Sequence, residues 1–366
     1  MNLVALPLGF LLIATVLWDA FETVVLPRTV TRRVRLARIY FRATWRPWAH
    51  MAGLFDSDGR RERFLAIYGP LCLLGLAAVW AFGLVAGFAM LHWSNGSDLR
   101  TPAGHARFAD DLYMSGTTFF TLGLGDVQPA GRAARLLTVA EAGTGFAFLA
   151  IVIAYFPVLY QSFARREVRL TMLDAWAGSP PAAAEVLRRL AGVGELAALD
   201  PFLKEWEYWC SEVLESHISY PAVAFFRSQH QRQSWVSALT AVLDLSALIT
   251  VGIDGLPTWQ ARATFAIARH AAVDLTQVLY AEPDTSADRL PAGDLEELRR
   301  QLEEAGLRPN RSPEADRRLL ELRRSYEPYV MGLARTLVMP VSSWWRHRAA
   351  KDNWQTSPKR DGDAHL

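Results

Sequence analysis

The sequence predicts an all-α membrane protein with three transmembrane helices, a re-entrant loop between the second and third, and an all-α soluble half after the last span. Three observations predict it. Residues 1–163 carry long apolar runs, whereas residues 164–366 carry Arg, Glu and Asp at helical spacing. Hydrophobic residues make up 51% of the chain and tryptophans number thirteen, which points to a part not built for water. A short segment with glycines two apart lies between two of the apolar runs.

A span needs about 20 mostly apolar residues to cross about 30 Å of hydrocarbon. Residues 3–26 form the first, with Asp19 and Glu22 near its end, which are costly there unless they lie at the interface or pair with arginines. Its start lacks a basic region and a cleavage site, so it reads as a retained helix and not as a signal peptide. Residues 64–93 form the second span and are uncharged before His92. The third runs from about Ala133 to Phe163 and is uncharged between Glu141 and Arg165.

Loop charges set the orientation. Residues 27–63 hold ten arginines against three acids, while the 94–132 loop sets Arg100, Arg107 and Arg132 against Asp98, Asp110, Asp111 and Asp126. The rule that Lys and Arg stay inside therefore puts the N-terminus outside, the arginine linker in the cytosol, the 94–132 loop outside and the C-terminal half in the cytosol. In that linker Arg28, Arg32, Arg35, Arg42 and Arg46 share one helical face, and Val30, Val34, Ala37, Phe41, Trp45 and Trp48 the opposite one. This predicts an interfacial helix, ended by Pro47, whose arginines reach anionic lipid in the bilayer. Arg32, Arg35 and Arg38 recur every third residue as in a voltage sensor, but only one span precedes them to surround such a helix.

Beyond Phe163 helices are expected near 182–192, 195–217, 234–252, 258–280, 291–305 and 313–338, divided by Pro180-Pro181, Gly255-Leu256-Pro257 and Pro309-Asn310. Residues 236–253 are apolar apart from Asp244 and read as the buried centre of a soluble helical domain, with a further span as the rival. The expected organisation is an N-terminal span (1–26), a basic linker (27–63), a re-entrant unit with its flanking helices (64–163), a helical domain (164–350) and a disordered tail (351–366).

The chemistry concentrates between the second and third spans. Residues 110–120 are long enough for a half-helix, and Thr121-Leu122-Gly123-Leu124-Gly125-Asp126 follow at once. Non-helical backbone at membrane depth must line water or be buried in protein. Alternate glycines let successive carbonyls point the same way, so that four chains would offer rings of oxygens able to replace an ion's hydration shell.

These residues resemble the potassium-channel pore family, whose pattern is Thr-Val-Gly-Tyr-Gly-Asp. The resemblance covers about residues 64–163 and implies a homotetramer that conducts potassium through the backbone carbonyls of residues 121–126, with K+ as the conducted species and no cofactor. It implies gating at Gly143 and Gly145, with Pro157 kinking the inner helix near the inner mouth. Leu124 replaces the family's Tyr, whose hydroxyl braces the filter, which leaves a non-selective monovalent cation channel as an alternative. A non-conducting membrane-anchored sensor or scaffold is another. Glu141 is read as a filter support bonded to Arg135 or to the back of the pore helix near Thr117 and Thr118, or else as a hydrated acid near the interface. Glu215, His217, Gln229, His230 and Gln231 are candidates for a ligand or proton sensor.

The remaining classes find no support in the sequence. Two cysteines make no disulfide framework, and 39 basic against 37 acidic residues leave no excess for nucleic acid. There is no nucleotide or metal motif, and no nucleophile and base are spaced for catalysis, so no enzyme is expected.

Overall fold

The computed structural model describes residues 4–26, 36–102, 104–230, 232–345 and 352. The fold is all-α apart from one two-residue ladder, and it divides into two compact units, Met1–Tyr160 and Gln161–Leu366. Among the described residues four helices are long and apolar enough to cross a membrane: Ala5–Val24, Asp58–Ser94, Arg132–Ala177 and Trp235–Gly252. The tail from 353 and the arginines at 28, 32 and 35 lie outside the described residues.

In the first unit, α1 (Ala5–Val24) crosses α3 (Asp58–Ser94) at glycines. A Cβ on Gly9 would meet the carbonyl of Gly87 at 2.8 Å, and one on Gly83 would meet Val16 at 2.8 Å. Small residues four apart on α3 thus let the two backbones approach, which is how apolar helices gain packing where lipid offers no hydrophobic drive. Asp19 is buried. Its carboxylate accepts Trp80 Nε1–H at 2.9 Å and the backbone N–H of Ala37 at 3.1 Å, capping the first turn of α2 (Leu36–Ala52).

Two expectations for the linker are corrected. The helix does not end at Pro47 but runs through it to Ala52. Proline removes one backbone donor, and the turn around it is held from outside: Trp48 stacks on Phe64 at 4.4 Å, Trp45 meets Tyr68 edge-on at 4.8 Å, and Trp48 Nε1–H donates to the Phe64 carbonyl. The apolar stripe therefore packs on α3, with Ala37 and Trp45 buried, while Arg42 and Arg46 stay exposed. The linker is also shorter than expected, because Ser57 caps α3 and starts it at Asp58, before the first apolar residue of the span.

α4 (Phe108–Phe119) is the half-helix, and α5 (Arg132–Ala177) follows the loop. β1 (Leu99–Arg100) pairs antiparallel with β2 (Gln128–Pro129), closing the loop at both ends. A core of Val16, Leu76, Trp80, Leu84, Val85 and Phe119 lies between these elements.

The second unit holds α6 (Ala183–Val193), α7 (Leu199–Ser219), α8 (Trp235–Ala247), α9 (Trp259–Val278), α10 (Ala292–Glu304), α11 (Pro313–Arg324) and α12 (Glu327–Leu337). Every residue of α8 is buried, and α6, α7, α9, α11 and α12 pack around it; the helix then passes into a π turn at Leu248–Gly252. Asp244 is buried with Arg289 (Nη2 to Oδ2, 2.6 Å) and Tyr326 (Oη to Oδ1, 2.5 Å). Burial opposes the Arg289 charge, but Asp244 outweighs it and raises the guanidinium above its ordinary value. The helix expected over 313–338 is two helices. Pro328 in the first turn of α12 lacks a donor, so the chain breaks at Ser325-Tyr326.

Candidate functional site

Left-handed backbone recurs at every second residue after α4: Thr121 has φ 57°, Gly123 φ 55° and Gly125 φ 80°, and Leu122 and Leu124 between them do not share it. Glycine takes this conformation freely, but Thr121 is strained there by about 1–3 kcal/mol. Hydrogen bonds back to the half-helix hold it, with Thr121 N–H donating to the Thr118 carbonyl at 3.0 Å and Leu122 N–H to the Thr117 carbonyl at 2.7 Å. Residues 121–126 are all exposed, so a single chain offers one open strand of carbonyls.

The exit of this strand is braced. Tyr113 on α4 donates its hydroxyl to Asp126 at 2.9 Å, and Gln128 Nε2–H donates to the Gly125 carbonyl at 2.9 Å. Sequence reading noted the missing Tyr at Leu124 and overlooked Tyr113, two helical turns before the filter, which supplies a hydroxyl from another direction. The ladder is reinforced by Ala130 N–H to the Asp98 carbonyl at 2.9 Å, and a Cβ on the adjacent Gly131 would collide with the Asp98 carboxylate.

On α5 the two glycines have different surroundings. A Cβ on Gly145 would collide with the Phe119 carbonyl, so this glycine seats the C-terminal end of α4. Gly143 has nothing within 4 Å of such a Cβ and borders an apolar cavity of about 430 Å³ whose lining includes Phe21, Trp80, Phe148 and Tyr155. Pro157 is exposed inside α5, which runs through it to Ala177.

Glu141 is fully buried, not hydrated. Its oxygen Oε1 bonds Ser115 on the back of α4, and Oε2 lies 3.6 Å from His92 Nε2 on α3. Arg135 is exposed and not its partner, and the bonds fall one turn before Thr117 and Thr118. Ser115 and His92 were missed, although the four-residue spacing of Asp111 and Ser115 would have put both on one face of the half-helix.

The sensor candidates of the second unit do not come together. His217 is buried at 3.1 Å from Arg166 Nη1 and 4.9 Å from the Trp235 ring, while Glu215, Gln229 and His230 are exposed and Gln231 lies outside the described residues. Burial, then the Arg166 charge, hold the imidazole well below its usual range, so it stays neutral where a histidine sensor would titrate. Arg166 itself is clamped by Glu167 and by the carbonyls of Val223 (3.1 Å) and Phe226 (2.8 Å). Among the described residues no group of three or more His, Cys, Asp or Glu could hold a metal ion.

A half-helix and a strand of alternating handedness thus lie between two long apolar helices. Residues 76–161 match the family model described as "Ion channel". The uncharacterized membrane protein YdjJ of Bacillus subtilis is 24% identical over 204 residues, 55% of this chain and 58% of that protein. Protein LctB of Geobacillus stearothermophilus is 34% identical over 84 residues, and that of Bacillus caldotenax 32% over 84, each match covering 20% of this chain and 62% of the relative. The chain thus spans about three-fifths of the length of these curated relatives. No solved structure matches it.

Proposed function

We propose that this chain is one subunit of a homotetrameric channel that conducts potassium passively across a bacterial inner membrane, with residues 121–126 as the selectivity filter. The observation that carries the reading is the left-handed backbone at Thr121, Gly123 and Gly125, directly after a half-helix and between two apolar helices. Such alternation turns carbonyl oxygens to one side, and oxygen ligands suit a hard, weakly held cation. One open strand cannot enclose an ion, and α5 exposes Leu136, Val139, Phe146 and Ile153 for lipid or other copies to cover, which favours a closed ring of subunits. Loop charge favours an external 94–132 loop and a cytosolic second unit, and anionic lipid at Arg28, Arg32, Arg35, Arg42 and Arg46. Gly143 and Pro157 are the proposed bending points of the inner helix, and Gly145 together with Glu141 supports the filter.

A filter that passes sodium as well is the second reading, favoured by Leu124, which is exposed and brings no hydroxyl to the back of the strand. The Tyr113–Asp126 bond supports the selective reading instead. Flux into liposomes of purified protein, with potassium, rubidium and sodium compared, tests both: potassium and rubidium entering far faster than sodium is expected. Equal rates would leave a non-selective pore, and no flux a silent one.

A further inference from the structure

We infer that His92, Asp111, Ser115 and Glu141 form a binding site for a single proton behind the half-helix, and that its occupancy sets whether the filter conducts. The second part rests on the conduction reading above; the first does not. The four side chains come from three helices, α3, α4 and α5, and are buried to 1% exposure or less.

Donor counting locates the proton. Ser115 Oγ has one hydrogen and two oxygen neighbours, the Val85 carbonyl at 3.0 Å and Glu141 Oε1. A carbonyl cannot donate. With Glu141 ionised, the hydroxyl can serve only one neighbour and the other contact sets oxygen against oxygen without a hydrogen. With a proton on Glu141, both contacts become bonds in one chain, Glu141 O–H to Ser115 and Ser115 O–H to Val85.

The same proton has a second seat. His92 Nε2 is 3.6 Å from Glu141 Oε2, too long for a hydrogen bond and short enough to become one with a small shift of the ring. Glu141 Oε2, both His92 nitrogens and Asp111 Oδ1 are buried without a hydrogen-bond partner. Asp111 Oδ2 accepts from Ser97 at 2.7 Å, and Asp110 turns away to the Arg107 backbone N–H at 2.7 Å. The groups facing the site are therefore His92 from α3, Asp111 and Ser115 from α4, Glu141 from α5 and Ser97 from the intervening loop. An unprotonated Glu141 is a fully buried carboxylate whose Oε2 has no hydrogen-bond partner. One proton, on Glu141 or shared with His92, neutralises or pairs that charge.

The link to the filter runs through α4. Ser115 lies six residues before Thr121, and Thr117 and Thr118 carry the carbonyls that hold the strained start of the filter. Losing the proton turns the single Ser115 hydrogen to the charged Glu141 and leaves the Val85 carbonyl without it, which loosens α4 against α3. The filter conducts with the site filled and fails as the medium on the side of the 94–132 loop turns alkaline.

Two readouts test this on the full-length protein in lipid. Infrared difference spectra between about pH 5.5 and about pH 8.5 are expected to contain the carbonyl band of a buried carboxylic acid, absent in Glu141→Gln and titrating at a different pH in His92→Gln. In liposomes, flux should fall about tenfold over that range, within the usual span of coupling between two sites, and Glu141→Gln should lose the dependence because its amide donates to Ser115 at every pH. A band that survives Glu141→Gln, or no such band, overturns the proton site. A band that behaves as expected, with the same flux profile in wild type and Glu141→Gln, overturns its control of the filter. No flux from any form, with the band intact, overturns the conduction reading and with it that control, and leaves the proton site standing. Should Glu141→Gln fail to assemble, Ser115→Ala removes the relay and keeps the acid; an unshifted band there overturns the site.

Discussion

Replacing Gly123 by alanine isolates the backbone requirement of the filter. A Cβ at Gly123 meets nothing of its own chain within 4 Å, so the substitution brings no clash there, only an L-residue at φ 55°. That conformation costs about 1–2 kcal/mol per residue. A ring of four chains must place four such residues together, about 4–8 kcal/mol in all, or roughly three to six decades in the fraction of intact filters. Potassium flux from Gly123→Ala liposomes should therefore be lost, with the tetramer still present on a sizing column. Gly192→Ala in α6 is the control: its Cβ also meets nothing within 4 Å, its φ is not left-handed, and alanine favours a helix by about 1 kcal/mol. Flux from Gly123→Ala within about twofold of wild type, far below the three decades expected, would refute the assignment of residues 121–126 as a filter whose left-handed backbone matters.

Tyr113→Phe removes the hydroxyl that bonds Asp126, which should be seen as faster decay of flux and a lower ratio of potassium to sodium entry; unchanged decay and ratio would mean the brace is idle. A cysteine at His105 should react with an impermeant thiol reagent outside intact cells, while cysteines at Asp56 and Arg300 should not. Labelling at position 300 would reverse the orientation of the second unit. His217 is held neutral in the fold by burial and by Arg166, whereas in the unfolded chain it titrates near about 6.5. The unfolded state then binds the extra proton, so the stabilising effect is complete above about pH 6.5 and is lost on acidification by at most about 1.4 kcal/mol per pH unit. Denaturant midpoints of the full chain in detergent should fall accordingly, and His217→Gln should flatten the slope; an equal slope in the variant would place the acid sensitivity elsewhere.

The spans and the half-helix were legible because an apolar run and a turn of helix are local properties, and the helix ends of the second unit followed its prolines and glycines. The linker failed where tertiary contact overrode local rules. Pro47 does break the hydrogen-bond ladder, but Trp45 and Trp48 on Tyr68 and Phe64 hold the next turn, and sequence does not tell whether an apolar stripe meets lipid or another helix. The partners of Asp19 could not be read from sequence because an indole N–H on α3 and the first turn of α2 become its neighbours only in the fold. In the candidate site the left-handed positions of residues 121–126 were foreshadowed by the glycines, whereas the side chains around them were not: His92, Ser115 and Tyr113 lie 29, 6 and 8 residues before Thr121 and look like ordinary helix residues.

Those supports share one element. The strain at Thr121 is about 1–3 kcal/mol, and the bonds opposing it are each worth about 0.5–1.5 kcal/mol net. Two of them end on the carbonyls of Thr117 and Thr118, and Gly145 admits the end of the same helix against α5. No single bond outweighs the strain with a wide margin, so the filter depends on α4 being held as a unit. Ser115 of that helix is buried between Val85 on one flanking helix and Glu141 on the other. A change of charge there acts on every restraint at once, which makes the back of the half-helix, away from the conduction path, the place where a small free energy would have the largest effect on the pore.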